Sequence, residues 1–356
     1  MLRHDSDRLS IESGELTVEN TSYCGAECIM CPRDEYRLER NWNHMSLDLF
    51  KRVLDQGAAL GITSLDLCGF GDPFMDPGYE AKLRYSKTAY PHIRTYTSTT
   101  GHLLHAKSLP WVCELFDTIK ISFYGFSKES YEAVHKGVLD YEKVKKNVDR
   151  LLEVPKGRRP HVILSFLVFP VNEHETKDWT SYWESRADEV MVWLPHNYGG
   201  AESIEDLAFR TNERAQKKVR SCGRPVRGNP FVRANGDVSV CCFDFNHKLV
   251  VGNLDQTSLL DILGGSQLSH VKEVHERLAF EGSGLLCEGC DQIFDRTDAL
   301  IYSSNPSRKV DQPTTHPNHV VRLVQVDEDV HRSTSIDPDP IGIAENVGRH
   351  ISPPPV

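Results

Sequence analysis

The chain has 356 residues, of which 39% are hydrophobic and 26% charged, so it exceeds one typical domain and can bury a sizeable core. Lys and Arg total 41 against 51 acids, a formal charge of −10. This argues against non-specific binding to nucleic acid or an anionic membrane surface, both of which need a cationic face. The longest apolar stretch, around 162–171, falls far short of the roughly 20 residues that span a bilayer. The first fifteen residues hold no apolar signal segment, so a cytoplasmic protein is expected.

Residues 16–20 read as a strand that leads into three cysteines, Cys24, Cys28 and Cys31. Residues 46–60 carry apolar side chains at helical spacing, with Ser46 placed to cap the first turn. Short strands follow at 64–67, running into Gly69-Phe70-Gly71-Asp72-Pro73, and at 93–98, ending at Thr99-Thr100-Gly101. Residues 118–123 are a strand and 141–152 a helix. The near-continuous apolar run at 162–169 fits a strand covered on both faces. A sixth strand is expected at 189–194. Strands alternating with helices imply βαβ units and a parallel sheet, whose ligand lies at the C-terminal ends of the strands.

Beyond residue 200 the pattern changes. Residues 231–233 and 238–242 flank Asn235-Gly236, the signature of a tight hairpin turn. Residues 249–251 can add a strand, and 259–263 and 268–278 read as helices. From Ser303 onward, 54 residues hold eight of the 19 prolines, few aromatics and no periodicity, which predicts a disordered tail. The expected organisation is a segment at 1–15, an α/β domain at 16–210, a small cysteine-bearing module at 211–302, and the tail at 303–356.

Ten cysteines in a long chain with no signal segment point to metal or redox chemistry rather than disulfides. Cys68 and Cys113 stand alone in apolar surroundings and are expected to be buried core thiols. Cys24, Cys28 and Cys31 place three soft ligands in one loop after a strand. That suits iron–sulfur or zinc, but a structural zinc site closes with a fourth protein ligand, and no cysteine or histidine follows nearby.

The CxxxCxxC spacing at the mouth of a βα series resembles the signature of the radical S-adenosylmethionine (radical SAM) superfamily. The resemblance covers about 16–200 and implies a partial (β/α)6 TIM-like barrel. It implies a 4Fe–4S cluster held by Cys24, Cys28 and Cys31, whose open iron takes S-adenosylmethionine. Reductive cleavage would then give a 5′-deoxyadenosyl radical that abstracts hydrogen from substrate, with an external donor such as flavodoxin or ferredoxin supplying the electron. Met30 stands where the family usually places an aromatic residue near the adenine. The segment Gly69 to Pro73 looks like the family's GGEP-type motif, in which Gly69, Gly71 and Asp72 would hold the amino group of the cofactor's methionine. Gly-Asp-Pro is also ordinary turn chemistry. By the same resemblance Thr99, Ser122 and Glu175 are candidate cofactor contacts.

A second cysteine set comprises Cys222, Cys241 (five residues after the hairpin Gly236), and the CxxC pair Cys287 and Cys290. Four cysteines suffice for one iron–sulfur cluster or for a zinc ribbon. The frame resembles the SPASM/twitch extension of radical SAM enzymes, a β-hairpin plus helix module. No cysteine follows Cys290, which favours a twitch-like module with one auxiliary 4Fe–4S cluster. On a strand Cys242 would point away from Cys241; it is either core packing or a catalytic hydrogen-atom donor.

Enzymes of this layout include dehydrogenases that oxidise an alcohol carbon of a sugar or aminocyclitol, with the auxiliary cluster as electron acceptor. The alternatives are a peptide maturase that epimerises or crosslinks, a sugar epimerase, or a non-catalytic cluster protein. Only 23 residues precede Cys24, too few for an added peptide-recognition domain, so a small-molecule substrate is preferred to a peptide. The substrate is expected between the barrel mouth and the second module, near His196, Asn197, Tyr198 and Arg224. No base is assignable from sequence.

Overall fold

The computed structural model describes residues 11–33, 35, 42–200, 218–227, 229–294 and 300–308. Five βα units and a sixth strand come first: β1 (Glu15–Val18), α1 (Leu47–Ala59), β2 (Ser64–Leu67), α2 (Tyr79–Ala89), β3 (Arg94–Thr99), α3 (Leu109–Leu115), β4 (Thr118–Ser122), α4 (Lys128–Val134), α5 (Tyr141–Glu153), β5 (His161–Leu167), α6 (Thr176–Glu184) and β6 (Glu189–Trp193). Helix α1 starts where its cap predicts: the Ser46 hydroxyl accepts the Leu49 N–H at 3.1 Å. Asp140 does the same for Lys143 at the start of α5, at 2.9 Å.

Strands β1 to β6 pair in parallel in chain order, with Thr17, Asp66, Tyr96 and Thr118 in one register row. Leu65, Leu67, Ile119 and Ile121 are fully buried, whereas the alternate residues Asp66, Tyr96, Lys120 and Ser122 keep partial exposure. The first set packs under the helices: Phe123, on the same side, stacks on Tyr141 of α5 at 5.7 Å. Each fully buried aliphatic side chain there contributes roughly 1.5–3 kcal/mol. The second set faces the concave side, where Asp66 of β2 and Cys68 just after it feel the charge of Lys120 on β4, with Tyr96 of β3 between them. The result is a partial barrel with a polar lumen.

The barrel edges do not meet. Strand β1 is covered by β7 (Phe231–Val232), paired in parallel through Thr17↔Phe231 and Val18↔Val232, and β6 by antiparallel β10 (Leu300–Ser303). From β7 the sheet continues antiparallel into β8 (Asp237–Ser239) and β9 (Val250–Asn253). The predicted hairpin therefore forms, with Gly236 at φ +87° in its turn, but it extends the main sheet instead of standing apart. Short helices α7 (Arg224–Arg227) and α8 (Leu259–Leu263) and helix α9 (Ser266–Arg277) complete this region.

Ser303 and Arg308, expected to lie in the tail, are held against β6. Ser303 donates its hydroxyl to the Glu189 carboxylate at 3.0 Å, and Arg308 pairs with the same buried carboxylate. The remainder of the predicted tail, 309–356, lies outside the described residues. Among the described residues no helix is long and apolar enough to cross a membrane.

Candidate functional site

The loop after β1 carries Cys24, Cys28 and Cys31, and three separate elements fix it. Asp72 donates its backbone N–H to the Tyr23 carbonyl at 2.9 Å, and Ile29 donates to Val134 at the end of α4, also at 2.9 Å. Arg33 reaches back to the carbonyls of Cys24 and Ala26, at 2.5 and 2.8 Å, while its guanidinium lies 5.0 Å from the Trp42 ring centroid. No motif singles out Arg33 in the sequence, because its role depends on the loop folding back on itself. Burial, the Asp72 carboxylate and neighbouring Cys31 push the Cys24 thiol up to about 11, and burial with the adjacent thiols raises Cys28. Thiols so placed become thiolates readily only when a metal replaces the proton.

Asp72 sits beneath this loop, 4% exposed. Its oxygens accept the Phe74 N–H (3.1 Å), the Thr99 hydroxyl (3.0 Å), the Thr100 N–H (3.0 Å) and the Thr100 hydroxyl (2.6 Å). Four donors saturate a carboxylate. The side chain thus joins the segments after β2 and β3, leaving backbone groups around Gly69 and Gly71 as the polar surface of that segment. At Gly71 a Cβ would lie 2.1 Å from the Thr21 carbonyl oxygen, so only glycine permits the contact with the strand leading to Cys24.

The other predicted cofactor contacts are spread around the same rim. Met30 is buried with Phe169 and Val134 in a small apolar cluster against Cys28 and Tyr124. Ser122 accepts the Tyr124 hydroxyl at 2.9 Å on the lumen side. Glu175 accepts the N–H groups of Phe126 (2.8 Å) and Ser127 (3.3 Å) and the Ser130 hydroxyl, which occupies it in capping α4. Burial alone would raise its carboxyl, but the hydroxyls of Ser127 and Ser130 and these N–H groups hold it below the usual range.

Cys222, Cys241, Cys287 and Cys290 line one cavity, with Gly199, Arg224, Phe243 and Leu286 completing its wall. Among the described residues no group of three or more His, Cys, Asp or Glu is gathered closely enough for a single ion. Burial pushes the Cys287 thiol up to about 12 and raises Cys290 as well. Arg224 places its guanidinium over Phe243 at 4.4 Å and is the cation among Cys242, Cys241, Cys222 and Cys290. Predicted as a substrate contact, it lies against the cavity, where it would offset the negative charge of four thiolates in a low-dielectric site. Four cysteines around one cavity and a nearby counter-charge fit an iron–sulfur cluster.

The segment after β6 meets the CxxC loop directly. Asn197 donates from its side chain to the Gly289 carbonyl at 2.8 Å and accepts the Asp291 N–H at 3.1 Å. His196 stacks on Phe243 with centroids 3.7 Å apart. Tyr198, with φ +46°, is partly buried, and Cys31, Tyr124, Cys28 and Cys242 are among the groups whose charge it feels.

Two expectations are corrected. Strand β8 ends at Ser239, so strand alternation does not govern the two following cysteines, and Cys242 is exposed where core packing was one expectation. Cys68 is only partly buried and faces the lumen, close to Asp66, Lys120 and Cys242; Cys113, also partly buried, packs against the main core. The lumen group itself, Asp66, Tyr96 and Lys120, was missed because its members share no local motif; only the strand register unites them.

Residues 18–181 match the radical SAM superfamily, and residues 222–291 match the SPASM iron–sulfur cluster-binding domain. An S-adenosyl-L-methionine-dependent 2-deoxy-scyllo-inosamine dehydrogenase from Niallia circulans is 21% identical over 296 residues, which cover 80% of this chain and 94% of that protein. The crystal structure of BtrN in complex with AdoMet and 2-DOIA superposes with a TM-score of 0.56 at 18% identity, over 80% of this chain and 94% of that one. Streptococcus suis SuiB bound to its precursor peptide SuiA gives 0.56 at 12% identity, over 71% of this chain and 65% of SuiB. At these identities the solved structures show the shared fold. With both family matches falling on the two cysteine sites, the chain belongs to the radical SAM superfamily: it is an enzyme that uses a 4Fe–4S cluster and S-adenosylmethionine and carries a SPASM-type auxiliary iron–sulfur domain.

Proposed function

We propose that this enzyme oxidises an alcohol carbon of a sugar or aminocyclitol, with one auxiliary 4Fe–4S cluster in a twitch-like module accepting the second electron. The observation that carries this reading is the single cavity lined by Cys222, Cys241, Cys287 and Cys290. The N. circulans relative, named as a dehydrogenase of an aminocyclitol, supports the substrate class.

Cys24, Cys28 and Cys31 would hold the first cluster, and Cys222, Cys241, Cys287 and Cys290 the second. When bound, the first cluster and S-adenosylmethionine supply the 5′-deoxyadenosyl radical that removes hydrogen from substrate. The chain's own residues do the rest. Met30 and Phe169 form an apolar wall at the rim, and Asp72 fixes the β2 and β3 exits. The lumen below offers hydrogen-bonding groups suited to a polyol: Asp66, Tyr96, Lys120 and Ser122. The reading places the enzyme in the cytoplasm, served by a donor such as flavodoxin or ferredoxin.

The test is oxygen-free reconstitution followed by assay with deuterated polyols. Iron near eight per chain and deuterium in 5′-deoxyadenosine alongside a ketone product are expected. About four irons with one zinc would end the electron-acceptor role. The exposure of Cys242 beside Cys68 and Tyr198 favours one second reading, a sugar epimerase in which the Cys242 thiol returns a hydrogen atom. Solvent deuterium in an unoxidised product would select it. Turnover of a peptide in preference to every polyol would select a maturase.

A further inference from the structure

A hydrogen-bonded chain runs from Ser221 through His275 to Cys287. His275 lies in the last turn of α9 and is 1% exposed, its ring edge-on to Phe280 at 4.9 Å. Its Nδ1 is 3.0 Å from the Ser221 Oγ, and its Nε2 is 3.3 Å from the Cys287 Sγ. The Ser221 Oγ in turn accepts the Gly223 N–H at 3.1 Å.

The proton positions along this chain follow from donor and acceptor counting. A cysteine that ligates iron has lost its proton, so the Cys287 sulfur can only accept, and Nε2 must carry the hydrogen. Nδ1 of the neutral ring is then an acceptor, and the one proton of the Ser221 hydroxyl is free to fill it because that oxygen's other contact is an acceptance from Gly223. Every group is used once, in one direction. Ser221 also precedes Cys222, so the chain ties two of the four cavity cysteines together.

A hydrogen bond to a cluster sulfur draws density from the thiolate and stabilises the reduced, more negative cluster over the oxidised one. We infer that His275, oriented by Ser221, is a positioning residue that raises the reduction potential of the auxiliary cluster and so makes it a better acceptor of the substrate's electron. This rests on the auxiliary-cluster reading above.

The experiment is a redox titration of the reconstituted full chain, followed by electron paramagnetic resonance, with iron counted in each sample. For His275→Phe the auxiliary reduction equilibrium is expected to fall about tenfold, a shift of about 59 mV downward for one electron. The first cluster's midpoint should stay fixed. His275→Gln, whose amide can still donate to sulfur, should recover part of the shift, and Ser221→Ala should shift in the same direction by less. Unchanged auxiliary midpoints in His275→Phe with full iron overturn the inference alone. Should His275→Phe fail to load, an unchanged midpoint in Ser221→Ala does so instead. Wild-type protein with zinc or no iron in the second site overturns the underlying reading as well, and the metal count reveals this before any variant is made.

Discussion

Asp72 accepts both the backbone N–H and the hydroxyl of Thr100, at 3.0 and 2.6 Å, through one carboxylate oxygen. With Thr99 and Phe74 on the same group, the exits of β2 and β3 move as one body beneath the Cys24 loop. Asp72→Asn would turn an NH₂ group toward converging donors. We expect a loss of roughly 1.5–3 kcal/mol of stability and at least about tenfold weaker S-adenosylmethionine binding. Oxygen-free calorimetric titration and thermal melts of the same samples check this. An Asn variant that melts and binds like wild type would mean that the carboxylate organises nothing.

Much of this architecture could be read from the chain because its cause is local. Ser46 caps α1, Asn235-Gly236 turns the hairpin, and the CxxxCxxC and CxxC spacings need only neighbouring residues. Helix α2 was not foreseen, because its buried face includes Lys82 and Ser86. Lys82 is buried there only because Asp76 meets it at 2.5 Å and Asn20 holds the same carboxylate at 2.9 Å. The lumen setting of Cys68 and the pairing of β7 with β1 likewise depend on registers between strands far apart in sequence. Such pairings leave no periodic trace.

His135 predicts an acid-sensitive fold. It is fully buried, its Nδ1 bonds the Tyr131 carbonyl at 2.8 Å, and its Nε2 has no partner among the described residues. Burial lowers its pKa from 6.5 to about 4. The unfolded chain therefore binds a proton that the folded one refuses between those values. The contribution is present above about 6.5 and is lost as pH falls toward 4, amounting to roughly 3 kcal/mol at the low end. Urea midpoints from about pH 7.5 to about pH 5 should fall more steeply for wild type than for His135→Phe. Parallel slopes would remove His135 as the cause.

Arg233 and Asp244, 1% and 0% exposed, form the pin of the second cysteine site. The Asp244 carboxylate also accepts Ser239 (2.9 Å), Lys248 N–H (2.7 Å) and Leu249 N–H (3.1 Å), which sets the course of the chain around Cys241. Asp244→Ala leaves a buried guanidinium without its anion, at a cost of about 3–5 kcal/mol. The expected result is loss of about four of about eight irons, with S-adenosylmethionine cleavage by the first cluster retained. Equal loss from both sites would show that the pin serves the whole sheet.

Lys120 sets the polarity of the lumen, and the proposed substrate must meet it. Its ammonium lies among Tyr96, Tyr124 and Cys68, with Asp66 nearby, whose carboxyl burial pushes up to about 6 despite the Ser64 hydroxyl at 2.9 Å. An ammonium so placed donates hydrogen bonds to a substrate oxygen, whereas Asp66, raised to about 6, is the group able to accept a proton above that pH. Lys120→Met should therefore remove a charge-assisted hydrogen bond of about 1.5–3 kcal/mol, a roughly 10- to 100-fold rise in the substrate concentration needed for half-maximal 5′-deoxyadenosine formation. Cleavage of S-adenosylmethionine without substrate should change less than substrate affinity, because hydrogen bonds from Asp72, to Val134 and from Arg33 hold the cysteine loop. Lys120→Arg should recover part of the affinity, and Asp66→Asn should flatten the rate profile near pH 6 with less effect on binding. If Lys120→Met saturates at the wild-type concentration, the substrate's oxygens lie elsewhere than the lumen floor.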